Sequence, residues 1–563
     1  MKPLRRDFAK LAGGAAAGLL FTPAPWRWLD DSAKWTQNWS WLPKTPRGPV
    51  TDTPARCTLC RAACPVRARC AGGVPTGFWP AGEALCPAGF AAHQVAYHPA
   101  RLRTGTRPVE DIAKALKGRS GRGFAVLDLA PGRTASYAVR DLLGRLPGSI
   151  YVEPRAVEGA TAAALSQLLS QPASLALDLE RLRTLLSVRT PVVEGWASPK
   201  RVCARPLPFR LLQADAETTR TSEMAAEWLK VPAGGEQEFL LAVAANLLAE
   251  TKTALPGCDV LRRAAEKASH PQAARVAREL LANRPAAVVA DGDPANGPLH
   301  PAVVRLAAAI NVLLASLDEG GFGFRAEAPL PSGWNPVPVT GLAAVADASL
   351  HTLLVDEPLP GCSCDWDAVK RKLAPDALVV AVTWTTAGAA RGATDLLAAP
   401  VFVEAAQDAA PEVDAARARF AVSRAFLPPP AGSIDMPALL GRLTGEDVTG
   451  EQALERRAAA IRAAGEGEVR MPGESGTKPV AAFGKDEEFW AALKGGACWT
   501  AAPSKERPAA IRVVPEGTTE EMLLAAGNNG TRTPGWRPAG ASPLIAKLWR
   551  ESGYRAAPGQ RLL

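Results

Sequence analysis

The chain has 563 residues, too many for one hydrophobic core, so two to four domains are expected. Hydrophobic residues make up 47%, as in ordinary globular proteins, and 65 basic against 56 acidic side chains leave a net charge of +9. That charge forms no dense basic block with interleaved aromatics, so no nucleic-acid partner is expected.

The first element is Leu4-Arg5-Arg6-Asp7-Phe8-Ala9-Lys10, an arginine pair followed by an apolar run from Leu11 to Phe21. This run is far shorter than the roughly 20 residues that span a bilayer, and it fits the apolar region of a signal peptide. A twin-arginine segment over residues 1–24 implies export in the folded state, the route needed when a cofactor is inserted first. The expected location is periplasmic, peripheral to the membrane. Thr22-Pro23-Ala24 is a poor small-x-small cleavage site, so the leader can remain as a weak anchor. No later stretch reaches spanning length.

Residues 25–49 form a Trp-rich arm: Trp26, Trp28, Trp35, Trp39 and Trp41, then Pro43, Pro46 and Pro49. It is too interrupted for a regular amphipathic helix. Its rings either pack on the protein's own surface or dock on a partner or a lipid interface, where Trp is favoured.

Next comes Cys57-x2-Cys60-x3-Cys64-x21-Cys86. Two thiols in a tight turn, a third four residues on and a distant fourth make the four-thiolate set of a [4Fe–4S] centre. Zinc also accepts four thiolates, usually as two Cys-x2-Cys knuckles, and an exported protein can hold disulfides. Cys70 is a spare thiol that could replace a ligand. The absence of Cys-x2-Cys-His gives no sign of covalent haem. Cys203, Cys258, Cys362, Cys364 and Cys498 are scattered, with Cys362-Ser363-Cys364 too tight for a metal knuckle. The five histidines do not cluster, and His98 reads as a solvated or hydrogen-bonded side chain rather than a ligand.

Beyond the cysteines, apolar runs alternate with helical patterns. Strands are expected at Gly123 to Leu129, Ser149 to Val152, Phe209 to Ala214, Ala286 to Ala290, Leu350 to Val355 and Ala377 to Thr383. Helices are expected at Thr134 to Leu143, Glu236 to Ala249, Ala302 to Leu317, Thr449 to Ala464 and Glu487 to Leu493. This alternation predicts parallel sheets in an α/β fold. Proline and glycine break the chain near 40–50, 328–340 and 466–479.

The segment Cys57-Thr58-Leu59-Cys60 through Leu85-Cys86-Pro87-Ala88-Gly89 and Tyr97-His98-Pro99-Ala100-Arg101-Leu102 resembles the iron–sulfur domain of the molybdopterin oxidoreductase superfamily. Weaker echoes follow in order: Leu185-Leu186-Ser187 to Glu194-Gly195-Trp196, Ala226-Glu227-Trp228-Leu229, Asn311 with Gly320-Gly321, and Thr386 with Asp395 to Glu404. The resemblance covers roughly residues 50 to 445. It implies a multi-domain α/β fold: a small iron–sulfur cluster domain at 50–108, parallel-sheet α/β domains at 109–445 and a helical or irregular region at 446–563. It implies one [4Fe–4S] cluster on Cys57, Cys60, Cys64 and Cys86.

The family's pterin site looks altered. Ala88 stands where Lys or Arg is common, Ala233-Gly234-Gly235-Glu236 replaces Pro-Gly-Thr-Asp, and Arg189-Thr190-Pro191 replaces a Gly-x-Asp strand end. No candidate protein ligand to molybdenum stands out. Asn528-Asn529-Gly530 to Trp549 resembles the beginning of the family's C-terminal barrel, which is truncated or absent. A molybdopterin guanine dinucleotide is therefore not expected. Some superfamily members without it serve in menaquinone reductase and alternative complex III. The resemblance to these implies an electron-transfer or scaffold subunit of a membrane-bound respiratory quinone oxidoreductase. Its partners would be a multihaem cytochrome c, a ferredoxin-like iron–sulfur subunit and a polytopic quinone-binding membrane subunit. The alternatives are an active periplasmic molybdenum or tungsten oxidoreductase that binds a pterin dinucleotide, and a purely structural subunit.

Overall fold

A computed structural model describes residues 5–21, 48–82, 84–119, 121–154, 164–171, 177–203, 206–291, 299–315, 327–360, 364, 366–387, 392–412, 414–504, 508 and 510–524. Most of the Trp-rich arm, Gly320-Gly321, Cys362-Ser363 and the segment Asn528 to Trp549 lie outside the described residues. Arg5–Phe21 is one continuous helix with its described side chains exposed, so the arginine pair and the apolar run share one element. Among the described residues no helix is long and apolar enough to cross a membrane.

Three antiparallel strands follow: β1 (Val50–Cys57), β2 (Cys64–Ala71) and β3 (Val74–Pro80). The hairpin from β2 to β3 turns on Gly72-Gly73, both at positive φ, as a two-residue connection matching strand twist requires. Alternation along β2 buries Val66, Ala68 and Cys70 and exposes Arg67 and Arg69. The buried face packs on Phe78 and on Val401, Phe402 and Val403 from the body of the protein.

The body is built on ten strands: β4 (Phe124–Asp128), β5 (Ile150–Glu153), β6 (Thr184–Val188), β7 (Arg210–Asp215), β8 (Glu227–Lys230), β9 (Ala286–Val289), β10 (Val339–Gly341), β11 (Leu350–Glu357), β12 (Leu373–Thr383) and β13 (Asp395–Ala398). They form two parallel sheets, ordered β10-β5-β4-β11-β12-β13 and β8-β7-β6-β9. β4 is buried at every residue, as expected of a strand covered on both faces. Helices Val109–Lys117, Thr134–Leu143 and Met436–Thr444 cover one face of the larger sheet. Helices Glu236–Thr251, Ala273–Ala282 and Pro301–Leu313 cover one face of the smaller. Each sheet reverses strand order once, between β4 and β11 and between β6 and β9. Such reversals open crevices at the carboxyl ends of strands.

The expected strands and helices of the body are present, with ends shifted by a few residues. The helix expected at Ala302 to Leu317 stops at Leu313, and Ala315 takes a left-handed conformation. The region after residue 445 has more strand than its composition suggested. β14 (Arg419–Ala421), β15 (Glu468–Arg470), β16 (Thr477–Pro479) and β17 (Cys498–Thr500) form an antiparallel sheet ordered β14-β17-β15-β16. Because β14 pairs with β17, this sheet joins residues on both sides of 445.

Candidate metal centre

The hairpin from β1 to β2 places Cys57 directly opposite Cys64, and the turn between them carries Cys60. The turn closes through the Ala63 amide on the Cys60 carbonyl at 3.3 Å, with Ala63 at φ 42°. Arg56 fastens it by donating to the Ala63 carbonyl at 3.2 Å and to the Gly496 carbonyl at 2.9 Å. Cys86 arrives after β3 as the cap of the short helix Pro87–Phe90, its Sγ accepting the Gly89 amide at 3.4 Å. All four are free thiols, Cys57 and Cys64 buried and Cys60 and Cys86 half-buried.

Burial pushes the Cys57 thiol up, and the neighbouring Cys60 and Cys86 add to the shift. Cys60 is pushed up to about 12 by burial, with Cys86, Glu412 and Asp414 also raising it. Cys64 rises through burial and then through Cys60, Cys57 and Cys86. Burial also raises Cys86, with Cys203 adding to it. Burial and mutual proximity thus favour the neutral thiols, and a cation among them would favour the thiolates. Among the described residues no three His, Cys, Asp or Glu side chains close on a single metal ion. The donor set of four thiols is chemically suited to a cluster that takes one thiolate per iron, and four thiolates also suit one zinc.

Cys70 lies at the far end of β2, opposite Thr51 and six residues from Cys64. At about 3.3 Å per residue the two sit about 20 Å apart. Cys70 thus cannot share a centre with Cys57 and Cys64. His98 accepts the Ala100 amide at 3.1 Å and stacks edge-on against Trp384. Sequence reasoning missed Arg56, which adjoins Cys57 but belongs to no motif, and also missed the roles of Cys203, Glu412 and Asp414, which reach the thiols from distant segments.

The turn Thr58–Arg61 rests against Ala130, Pro131, Arg133, Leu359, Pro360, Ala409 and Ala410. The remaining gap is about 20 Å³, room for about one water. Ala88, next to Cys86 and Pro87, presents no charged donor. At the end of β6, Arg189 is buried and its guanidinium meets the buried Glu236 carboxylate at 2.8 Å. Glu236 opens the helix Glu236–Thr251 and also accepts the Gly234 amide at 2.8 Å. A helix N-terminus favours negative charge, and here the Glu236 carboxylate lies in the first turn, bonded to an amide just ahead of the helix.

The crevice at the end of β4 is treated alike. Asp408 accepts the Thr134 amide at 2.8 Å and the Thr134 hydroxyl at 2.6 Å, capping the helix Thr134–Leu143. Arg133 lies 3.0 Å from Asp356 and 4.0 Å from Asp128. A cavity of about 390 Å³ remains beside them, with Asp356, Asp408 and Asp435 in its lining. Arg133, Arg442 and Glu451 line it as well. Two residues of the weaker resemblance have structural roles. Asn311 clamps β9 through both Val288 backbone groups, at 2.7 and 2.8 Å, and Glu404 pairs with the buried Arg101 at 2.5 Å.

No family model matches the chain. It is similar to the molybdopterin-binding-like subunit of menaquinone reductase from Nitratidesulfovibrio vulgaris, with 26% identity over 363 residues, 57% of this chain and 52% of that protein. The chain thus spans about half the length of this curated relative. In structure it is similar to acetylene hydratase from Pelobacter acetylenicus, with a TM-score of 0.57 and 13% identity, covering 90% of this chain and 79% of that one. The chain is thus similar in sequence to a molybdopterin-binding-like subunit over about half its length, and it shares the fold of acetylene hydratase.

Proposed function

We propose that the chain is an exported subunit of a membrane-bound respiratory quinone oxidoreductase, holding one [4Fe–4S] cluster and no pterin dinucleotide. Cys57, Cys60, Cys64 and Cys86 would hold the cluster, which supplies one-electron transfer when bound. The likeness to a menaquinone reductase subunit supports the respiratory setting. The partners expected with it are a multihaem cytochrome c, a ferredoxin-like subunit and a polytopic quinone-binding subunit.

The observation that carries the reading is the Arg189–Glu236 pair. A dinucleotide needs phosphate-directed amides at helix N-termini and room at strand ends. Here a guanidinium fills the strand end and a carboxylate bonds the amide, while Asp408 does the same at the second crevice. The gap of about 20 Å³ beside the Cys60 turn supports the same conclusion.

The chain's own residues then have defined work. Arg56 and the Cys86 cap fix the thiols, and Arg101 and Arg107 bind the cluster domain to the body through Glu404 and Asp395. The subunit relays electrons or holds its partners in register. Co-purification from detergent-solubilised native membranes tests the setting. Recovery with a quinone-binding membrane subunit is expected; a chain recovered alone, with pterin bound, would overturn the proposal.

A further inference from the structure

Charge is not shared evenly along the chain. Residues 48–108 hold seven arginines, no lysine and two acidic residues, +5 of the chain's +9. Arg56 and Arg101 are buried and Arg107 pairs with Asp395, which leaves Arg61, Arg67, Arg69 and Arg103 at or near the surface, with Arg67 meeting Asp52 at 3.1 Å.

The outer face of the β1–β3 sheet carries part of this charge beside an aromatic pair. Register aligns Pro54, Arg67 and Trp79 across the three strands, and Asp52, Arg69 and Gly77 in the next row. Trp79 is 49% exposed and meets Phe90, 39% exposed, edge to face at 6.0 Å between ring centroids. Val50, on the same outward set of β1, is also exposed. Among the described residues beyond the N-terminal helix, three of the five large exposed hydrophobics belong to this domain. Phe90 lies one helical turn from Cys86 and donates its amide to the Cys86 carbonyl at 3.1 Å.

We propose that this face docks an acidic electron-transfer protein, with Trp79 and Phe90 at the centre and Arg67 and Arg69 beside them. The proposal rests on the cluster reading above for the partner's redox character, whereas the surface argument stands on exposure and charge. Trp, Phe and Arg are the side chains enriched at the centres of protein interfaces. A surplus of arginine steers an acidic partner. Pro54 on β1 and Pro75 and Pro80 on β3 interrupt both edges, which disfavours strand addition by a second copy.

The test uses the full chain, affinity-purified anaerobically from detergent-solubilised native membranes as wild type, Trp79→Ser, Arg69→Glu and the remote surface variant Val339→Ser. Iron per chain and the identity, net charge and redox centre of each co-purifying subunit are measured at low and high salt. Recovery of an acidic redox subunit is expected to fall about tenfold or more in Trp79→Ser and Arg69→Glu. It should fall with salt in wild type and hold in Val339→Ser, with iron unchanged throughout. Equal recovery in all four proteins would overturn the proposal. So would the loss of only lipid, a second copy, the chain's own Trp-rich segment, or a subunit that is basic or without a redox centre. A wild-type chain without iron would overturn the cluster reading instead, and the docking comparison would still be read from recovery.

Discussion

The Arg189 guanidinium and the Glu236 carboxylate meet at 2.8 Å, both buried, where β6 ends and the helix Glu236–Thr251 begins. Removing one member of a buried pair leaves an uncompensated charge, at a cost of about 3–5 kcal/mol. Glu236→Ala should lose about that much stability in urea unfolding. Arg189→Met with Glu236→Leu should recover most of it. If Arg189 served a bound ligand instead, Glu236→Ala would unfold like wild type.

The cysteines should separate sharply. Ser at Cys57, Cys60, Cys64 or Cys86 should cut bound iron and cluster absorbance, since each thiolate is assigned its own iron. Cys70→Ser should keep both, because that thiol lies about 20 Å from Cys64 along β2. Iron loss on replacing Cys70 would contradict the strand register.

Glu412 and Asp414 raise Cys60, and Glu412 also raises Cys64, so negative charge lies near the proposed cluster. Net charge around a cluster helps set its potential. Glu412→Gln should therefore shift the midpoint upward in a redox titration followed by electron paramagnetic resonance. A downward shift would remove Glu412 from the cluster's surroundings.

Asp356 gives a pH dependence. Burial pushes it up to about 7, opposed by Arg133 and assisted by Asp128 and Asp435. Its unfolded value is about 3.9. Between these values the folded state holds a proton that the unfolded state has lost. This group's contribution to stability is thus complete below pH ~4 and is lost as pH rises through about 7. Asp356→Asn should flatten the fall in stability between about pH 4 and pH 7 in urea unfolding. An unchanged slope would show that Asp356 does not carry it.

Much of the body was legible because local signals and global fold agree. The apolar run Gly123 to Leu129 can only be a covered strand, and Thr134 to Leu143 forms the helix its pattern predicts. The hairpins of the cluster domain were not read from the sequence, although Gly72-Gly73 supplies the two positive-φ residues that the turn from β2 to β3 uses. The small sheet of β14 to β17 was not, because its three-residue strands carry no periodicity and pair across long sequence separations. Nor were the partners of the altered positions. Arg189 and Glu236 each stood out as departures from the family pattern, but only folding shows that they compensate each other. Glu412 and Asp414 reach the cysteines from more than 300 residues away, with no motif to signal it.

The central proposal is that the amino-terminal thiols hold an iron–sulfur cluster while the body binds no pterin dinucleotide. Metal counting on the anaerobically purified chain, joined to electron paramagnetic resonance, tests both halves at once. About four irons per chain with a reducible cluster signal, and neither molybdenum nor tungsten, is the predicted result. Stoichiometric molybdenum or tungsten, or a chain free of iron, would contradict it.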